Sequence, residues 1–256
     1  MASQPVSSGS FTHAVGRPRI ILVGAGHVFD IRAAVKAVIR QKRPQTVALE
    51  LDYGRFQGLL SKERGSGEGM PLAYRLLARF QQDLAEQYGS EAGSEMVAAA
   101  EAAGEVGANV ELIDMDALSV FKRMFKAMSF KEKLLLAAGA VMSMFTSKST
   151  VEKELERFSS NEEGFMAEIK ASYPSLVRVL IDERNEHMAG RLREISARSE
   201  GTVAVVGDGH IAGMTALLSE FAEVEVCRLG ELRSMPADGQ NAQMTMSFVV
   251  NPHDKP

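Results

Sequence analysis

The chain has 256 residues, 45% hydrophobic and 24% charged, a balance that supports a folded soluble protein and excludes wholesale disorder. Its 29 Lys and Arg nearly match its 33 Asp and Glu, so no broad basic field exists to hold a nucleic-acid backbone or an anionic membrane surface. A single cysteine, Cys227, can form neither an intramolecular disulfide nor a cysteine-based metal cluster, which leaves histidine and carboxylate as the only metal ligands available.

Residues 1–18 are rich in Ser and Gly, lack the apolar core of a secretory signal, and read as a flexible arm. The run 20–23 is β-branched and aliphatic and is closed by Gly24; Ile31, Val35, Val38 and Ile39 then follow at helical spacing. After Pro44, the run 47–51 repeats the pattern, and its unbroken hydrophobicity suits a strand covered on both faces, so a parallel βαβ unit is predicted. A Gly-, Ser- and Glu-rich loop at 63–69 leads into a long helix from 71 to about 107 and a third strand at 110–113. From 116 to about 199 helical spacing dominates: Phe121, Met124, Phe125 and Met128 fall on one stripe, and Pro174 stands where a first-turn proline starts another helix. A fourth strand at 203–206, a helix at 214–221 and a strand at 224–227 follow, with a last strand expected at 246–250 in the tail 230–256.

The fold class is therefore α/β, a mostly parallel central sheet flanked by helices, with a large helical insertion between the third and fourth strands of a 19–229 domain. The longest apolar run, 134–145, contains Gly139 and Ser143 and falls short of the ~20 residues that span a bilayer, so no membrane segment is expected and the cytoplasm is the expected location. The surplus of Met and Phe in the insertion predicts a homodimer.

Two distant segments end alike, 20–27 in Gly24-Ala-Gly-His27 and 203–210 in Gly207-Asp-Gly-His210. In a parallel sheet the carboxyl ends of the strands form the ligand crevice, so both histidines are expected at one edge. A dinucleotide turn is the competing reading, because Gly207-x-Gly209-x-x-Ala212 fits the loose fingerprint; Phe29, and a bulky His at each turn, argue against it. Glu50, at the end of the second strand, can complete a set of two histidines and one carboxylate with open positions for water. The alternative for Glu50 is a helix cap or a pair with Arg55.

In the helix from 174 to about 196, Val177, Ile181, Arg184, Met188, Leu192 and Ile195 form one stripe and Leu176, Leu180 and Glu183 the adjoining one. Charges on an inward stripe need partners, so Glu183 and Arg184 are either site residues or halves of a structural ion pair. Asp114 adds a carboxylate at the end of the third strand.

Assembled, these residues resemble the TraB/PrgY family, related to the Tiki-type proteases and more distantly to the erythromycin-esterase and ChaN-like group. The resemblance runs from about Ile20 to Leu229 and rests on Gly24-x-x-His27, Glu50-Leu51-Asp52-x-x-Arg55, Asp114, Glu183-Arg184-Asn185-x-x-Met188 and Gly207-x-x-His210. It implies an α/β core with two GX2H motifs lining the active site and, through the Tiki-type relatives, a peptidase dependent on manganese or cobalt, with zinc as a further acceptable ion. Carried over, His27 and His210 are the motif histidines, Glu50 the acidic site residue, and Arg55, Glu183 and Arg184 the surrounding charges. Where the family commonly has Arg after the third-strand Asp, this chain has Met115.

The expected function is a metal-dependent hydrolase of peptide or protein substrates. His27, Glu50 and His210 would hold the ion, Glu183 (or Glu50, if not a ligand) would transfer protons, and Arg184 and Arg55 would stabilise the oxyanion or orient the carboxylates. The alternatives are a protein that binds a peptide or haem without cleaving it, and a metal-independent esterase with His27 as base.

Overall fold

A computed structural model of the chain describes residues 17–26, 30–61, 93–143 and 162–234. The described residues fall into two compact units, one drawn from Met1–Asp116 and Asn185–Pro256, the other from Ala117–Arg184. The expected last strand at 246–250 and most of the expected 71–107 helix lie outside the described residues, as does His27.

In the first unit, five strands pair side by side as β1 (Arg19–Ala25), β2 (Thr46–Leu49), β3 (Asn109–Leu112), β4 (Thr202–Gly207) and β5 (Glu223–Cys227). All pairings are parallel and the order is β3-β2-β4-β1-β5, an α/β sheet as the sequence predicts. Because strand side chains alternate, each strand feeds two cores. Ile21, Val23, Val47, Leu49, Val203 and Val205 meet Val35, Val38 and Ile39 of the Arg32–Lys42 helix and Met96, Ala99 and Ala102 of the Ser94–Val106 helix. Ile20, Leu22, Ala48, Ala204 and Val206 meet Met188, Leu192 and Ile195 of the Glu183–Ser196 helix and Ile211, Met214 and Leu218 of the Ile211–Leu218 helix. Burial on both faces is why β1, β2 and β4 read as continuous apolar runs, whereas the edge strands β3 and β5 alternate with Glu.

The two cores also fix where a crevice can open. The helices that follow β1 and β2 pack on one face of the sheet, whereas the helix that follows β4 packs on the other. Since β4 lies between β1 and β2, the chain parts to opposite faces on both sides of its carboxyl end, which is the switch point at which open α/β sheets bind ligands.

The second unit is helical: Ala117–Ala127, Phe130–Ser143, Glu162–Ser172 and Pro174–Val177, then a π-helical turn at Arg178–Asp182. Val120, Phe121, Met124 and Met128 are buried there with Val177 and Val179, and the rings of Phe121 and Phe125 lie 4.7 Å apart, tilted. The π turn departs from the uninterrupted helix that the sequence predicts. It inserts an extra residue per turn, so positions before and after it no longer keep a common 3.6-residue phase. Beyond it, the buried stripe is Asn185, Met188, Ala189, Leu192 and Ile195, and Asn185 rather than Arg184 lies on it. Among the described residues no helix is long and apolar enough to cross a membrane.

Candidate functional site

Parallel register brings three strand ends together. Gly24 pairs with Val206 and Ala25 with Gly207, so the two Gly-x-Gly-His segments leave adjacent strands at one level. On the other side of β4, Leu49 pairs with Val205. β2 ends at Leu49, two residues short of the expected strand, but the Glu50 N–H still donates to the Val205 carbonyl at 3.0 Å and extends the ladder by one bond. Glu50 is thus fixed beside the β4 turn.

Its carboxylate is buried, with only 7% of the residue exposed. Oε2 accepts the Gly207 N–H at 2.5 Å, and a Cβ at Gly207 would lie 3.3 Å from that oxygen, so the first glycine of the motif lets the carboxylate seat against the backbone. Oε1 faces Nε2 of His210 at 3.4 Å. His210 closes a short 3-10 turn, Asp208–His210, at the head of the Ile211–Leu218 helix and is 4% exposed. Its Nδ1 lies 2.7 Å from Oδ1 of Asn185, itself 4% exposed. The structure therefore brings together Glu50 and His210, two of the expected metal ligands, and adds Asn185, to which the sequence assigns no role. The His210–Glu50 separation suits a shared ion, because two ligands each about 2.1 Å from one ion stand about 3.4 Å apart at a tetrahedral angle. Among the described residues no group of three or more His, Cys, Asp or Glu side chains gathers to hold a metal.

Asp208, inside the second motif, ties the end of β4 to the residues that follow β5. Its Oδ1 accepts the Leu229 N–H at 2.9 Å and its Oδ2 pairs with Arg228 at 2.7 Å. A Cβ on Gly24 would fall 2.2 Å from Oδ1. Each motif's leading glycine thus makes room for a carboxylate carried on a neighbouring strand end.

Arg55 is committed to two carboxylates. Its Nε donates to Asp52 at 2.7 Å, its Nη2 to Asp114, and its backbone N–H to Asp52 at 2.9 Å, so the guanidinium ties the end of β2 to the end of β3. Burial works against the Arg55 charge, but Asp114 and Asp52 outweigh it and hold its pKa above the ordinary arginine value. Glu183 and Arg184 belong to the second unit. There Glu183 accepts from Arg123 and from Arg178, each at 2.6 Å, and Arg184 donates to the Leu180 carbonyl at 3.2 Å.

The missed residues left faint marks. Asn185 is one step from Arg184, and only the π turn decides between them. Gly213, three residues after His210, sits in a helix that gives glycine no reason to be there, except that a Cβ would fall 2.2 Å from Nδ2 of Asn185.

The family described as TraB/PrgY/gumN matches residues 12–225. An uncharacterized protein of Methanocaldococcus jannaschii is 34% identical over 91% of this chain and 61% of its own length. TraB domain-containing proteins of Mus musculus and Homo sapiens are 28% and 27% identical, each over 77% of this chain and 61% of its own length. The chain spans about 61% of the length of these curated relatives.

Proposed function

Because the chain belongs to the TraB/PrgY/gumN family, we propose that it is a divalent-metal-dependent hydrolase acting on peptide bonds, with its site at the carboxyl ends of β1, β4 and β2. The observation that carries this reading is the buried contact of His210 Nε2 with Glu50 Oε1. With Nδ1 bonded to the amide oxygen of Asn185, a neutral His210 has its lone pair on Nε2. A nitrogen lone pair and a carboxylate oxygen 3.4 Å apart are a pair of donors that one divalent ion can join, and imidazole with carboxylate is a donor set such ions accept.

His210 and Glu50 would hold the ion with His27, which follows in sequence two residues after Ala25, the β1 end that pairs with Gly207. An ion held there supplies Lewis acidity, polarising a carbonyl and making a water a stronger acid. The Gly207 N–H fixes one oxygen of Glu50 and so sets the direction of the other. Glu183 is proposed for proton transfer, with Arg123 and Arg178 orienting its carboxylate. Arg184 and Arg55 are proposed as the cationic groups that steady the developing oxyanion or the site carboxylates. Manganese or cobalt is the proposed ion and a peptide or protein the substrate. A homodimer stays within the proposal; Phe130, 82% exposed, and Leu134 on the same helix are the side chains whose change to Asp tests it by sedimentation.

A peptide-library digest with purified chain, with chelator and with added Mn2+, is the test. The reading expects new peptide termini that vanish with chelator and return with Mn2+. Chelator-insensitive ester hydrolysis, or ligand retention without products, contradicts it.

A further inference from the structure

The imidazole of His210 is gripped from the side away from Glu50. Nδ1 meets Oδ1 of Asn185 at 2.7 Å with both residues buried. An amide oxygen only accepts, so Nδ1 carries the hydrogen. Which ring nitrogen is protonated is set by the bond the other one makes, and here that bond leaves the lone pair on Nε2, the nitrogen 3.4 Å from Glu50 Oε1.

The other end of the same amide occupies the room that Gly213 leaves. A Cβ at Gly213 would lie 2.2 Å from Nδ2 and 3.2 Å from Cγ of Asn185, closer than any side chain tolerates. Gly213 stands within the Ile211–Leu218 helix, where alanine would be the better helix former. That glycine makes sense as the space an amide needs. His210 and Gly213 lie one turn apart on adjoining 3-10 and α segments, so the amide that Asn185 carries on the Glu183–Ser196 helix meets the ring and the glycine together.

We infer that Asn185, seated in the space left by Gly213, is a positioning residue that holds His210 with Nδ1 protonated and the Nε2 lone pair turned toward Glu50. The inference deepens the hydrolase reading and rests on it for the use of Nε2 as a ligand, whereas the tautomer is readable without metal or substrate. Metal-binding histidines are oriented by partners of this kind, and loss of such a partner typically costs about 10–100-fold in metal affinity.

The test is the two-bond proton–nitrogen correlation spectrum of the full chain, labelled with 15N-histidine and recorded without metal at a pH above the histidine range. His210→Gln assigns the signal. Wild type is expected to show His210 protonated at Nδ1. Asn185→Leu is expected to move the proton to Nε2, and Asn185→Asp, which keeps an acceptor oxygen, to leave it on Nδ1. Gly213→Ala removes no polar group, yet it is expected to shift His210 in the same sense as Asn185→Leu by displacing the amide. Separately, Mn2+ affinity is expected to fall about 10–100-fold in Asn185→Leu and to be largely kept in Asn185→Asp. A wild-type His210 protonated at Nε2 overturns the inference, and that reading needs no variant to fold. So does an Asn185→Leu chain that folds and keeps the proton on Nδ1. If the tautomer pattern holds while no Mn2+ binds to any form, the hydrolase reading fails and the positioning role stands.

Discussion

Two buried glutamates, one in each unit, show how the same side chain can serve as a staple or as a site. Glu132, in the helical unit, is satisfied by its own surroundings: Oε2 accepts the Ser129 N–H at 2.7 Å and the Ser129 hydroxyl at 2.8 Å, and Oε1 accepts the Ser175 N–H at 2.8 Å. With the Glu132 N–H donating back to Ser129 Oγ at 3.3 Å, this is a capping box that also pins the start of a second helix. The Ser129 backbone bond, helped by the other donors and outweighing burial, holds its pKa down to about 2. Glu50, at the β2 end, accepts the Gly207 N–H with Oε2 and has Oε1 beside a histidine nitrogen. The carboxylate held by the N–H and O–H groups of a cap stabilises structure; the one set beside a buried histidine nitrogen at a strand end is the one the proposed hydrolase uses.

Exchanging each glutamate for glutamine sharpens that contrast. Glu50→Gln and His210→Ala are expected to cut chelator-sensitive peptide cleavage by more than about 100-fold, beyond the range that loss of an orienting partner alone produces. The amide introduced by Glu50→Gln can still accept from Gly207 and can donate to His210 Nε2, so the thermal midpoint of that variant should stay close to wild type. Glu132→Gln should do the reverse, lowering the midpoint measured by circular dichroism while turnover per folded molecule is retained. A Glu50→Gln chain with full turnover, or a Glu132→Gln chain with unchanged stability, would break the comparison.

Acid separates the two next. The folded pKa of Glu132 lies below its ordinary value of 4.5, so the unfolded chain takes up the proton more readily. Its contribution is whole above pH 4.5 and is lost as pH falls toward about 2. The stability difference between wild type and Glu132→Gln should therefore shrink across that window in denaturant titrations at successive pH values. A difference that stays constant would contradict the staple.

Smaller effects test the glycine cradles. Gly24→Ala drives a Cβ to 2.2 Å from Asp208 Oδ1 and should destabilise by about 1–3 kcal/mol, the usual range for overpacking. Gly58, on the Tyr53–Ser61 helix with nothing within 4 Å of its Cβ position, should tolerate alanine in the same assay. Smallest of all, Cys227 is buried, and burial with the nearby Glu231 and Glu225 pushes its thiol up to about 12. It should resist alkylation at pH 8 in the native chain and react on unfolding.

Much of the sheet is legible because burial on both faces writes β1, β2 and β4 as apolar runs, and because Gly24 and Gly207 mark where two of them stop. Pairing Glu50 with His210 was legible too, since strand ends of a parallel sheet share one edge. The helix after Pro174 was misread at one point for a local reason: residues 184 and 185 both fit a stripe through Met188, and a π turn carries no signature in hydrophobic spacing. That Arg55 joins Asp52 to Asp114 is not legible in the sequence, because nothing there shows that two strand ends bring both carboxylates to it. Ser129 and Glu132 stand three residues apart, the spacing of a capping box, whereas nothing in the sequence ties Ser175, 43 residues on, to the same carboxylate.

The account stands or falls on whether Glu50 and His210 bind one ion with His27. Titration of the metal-free chain with Mn2+, followed by the electron paramagnetic resonance signal of the free ion, measures this directly. The account predicts one bound ion per chain in wild type and loss of that binding in each of His27→Ala, Glu50→Gln and His210→Ala. Full binding by a folded His210→Ala chain would contradict it.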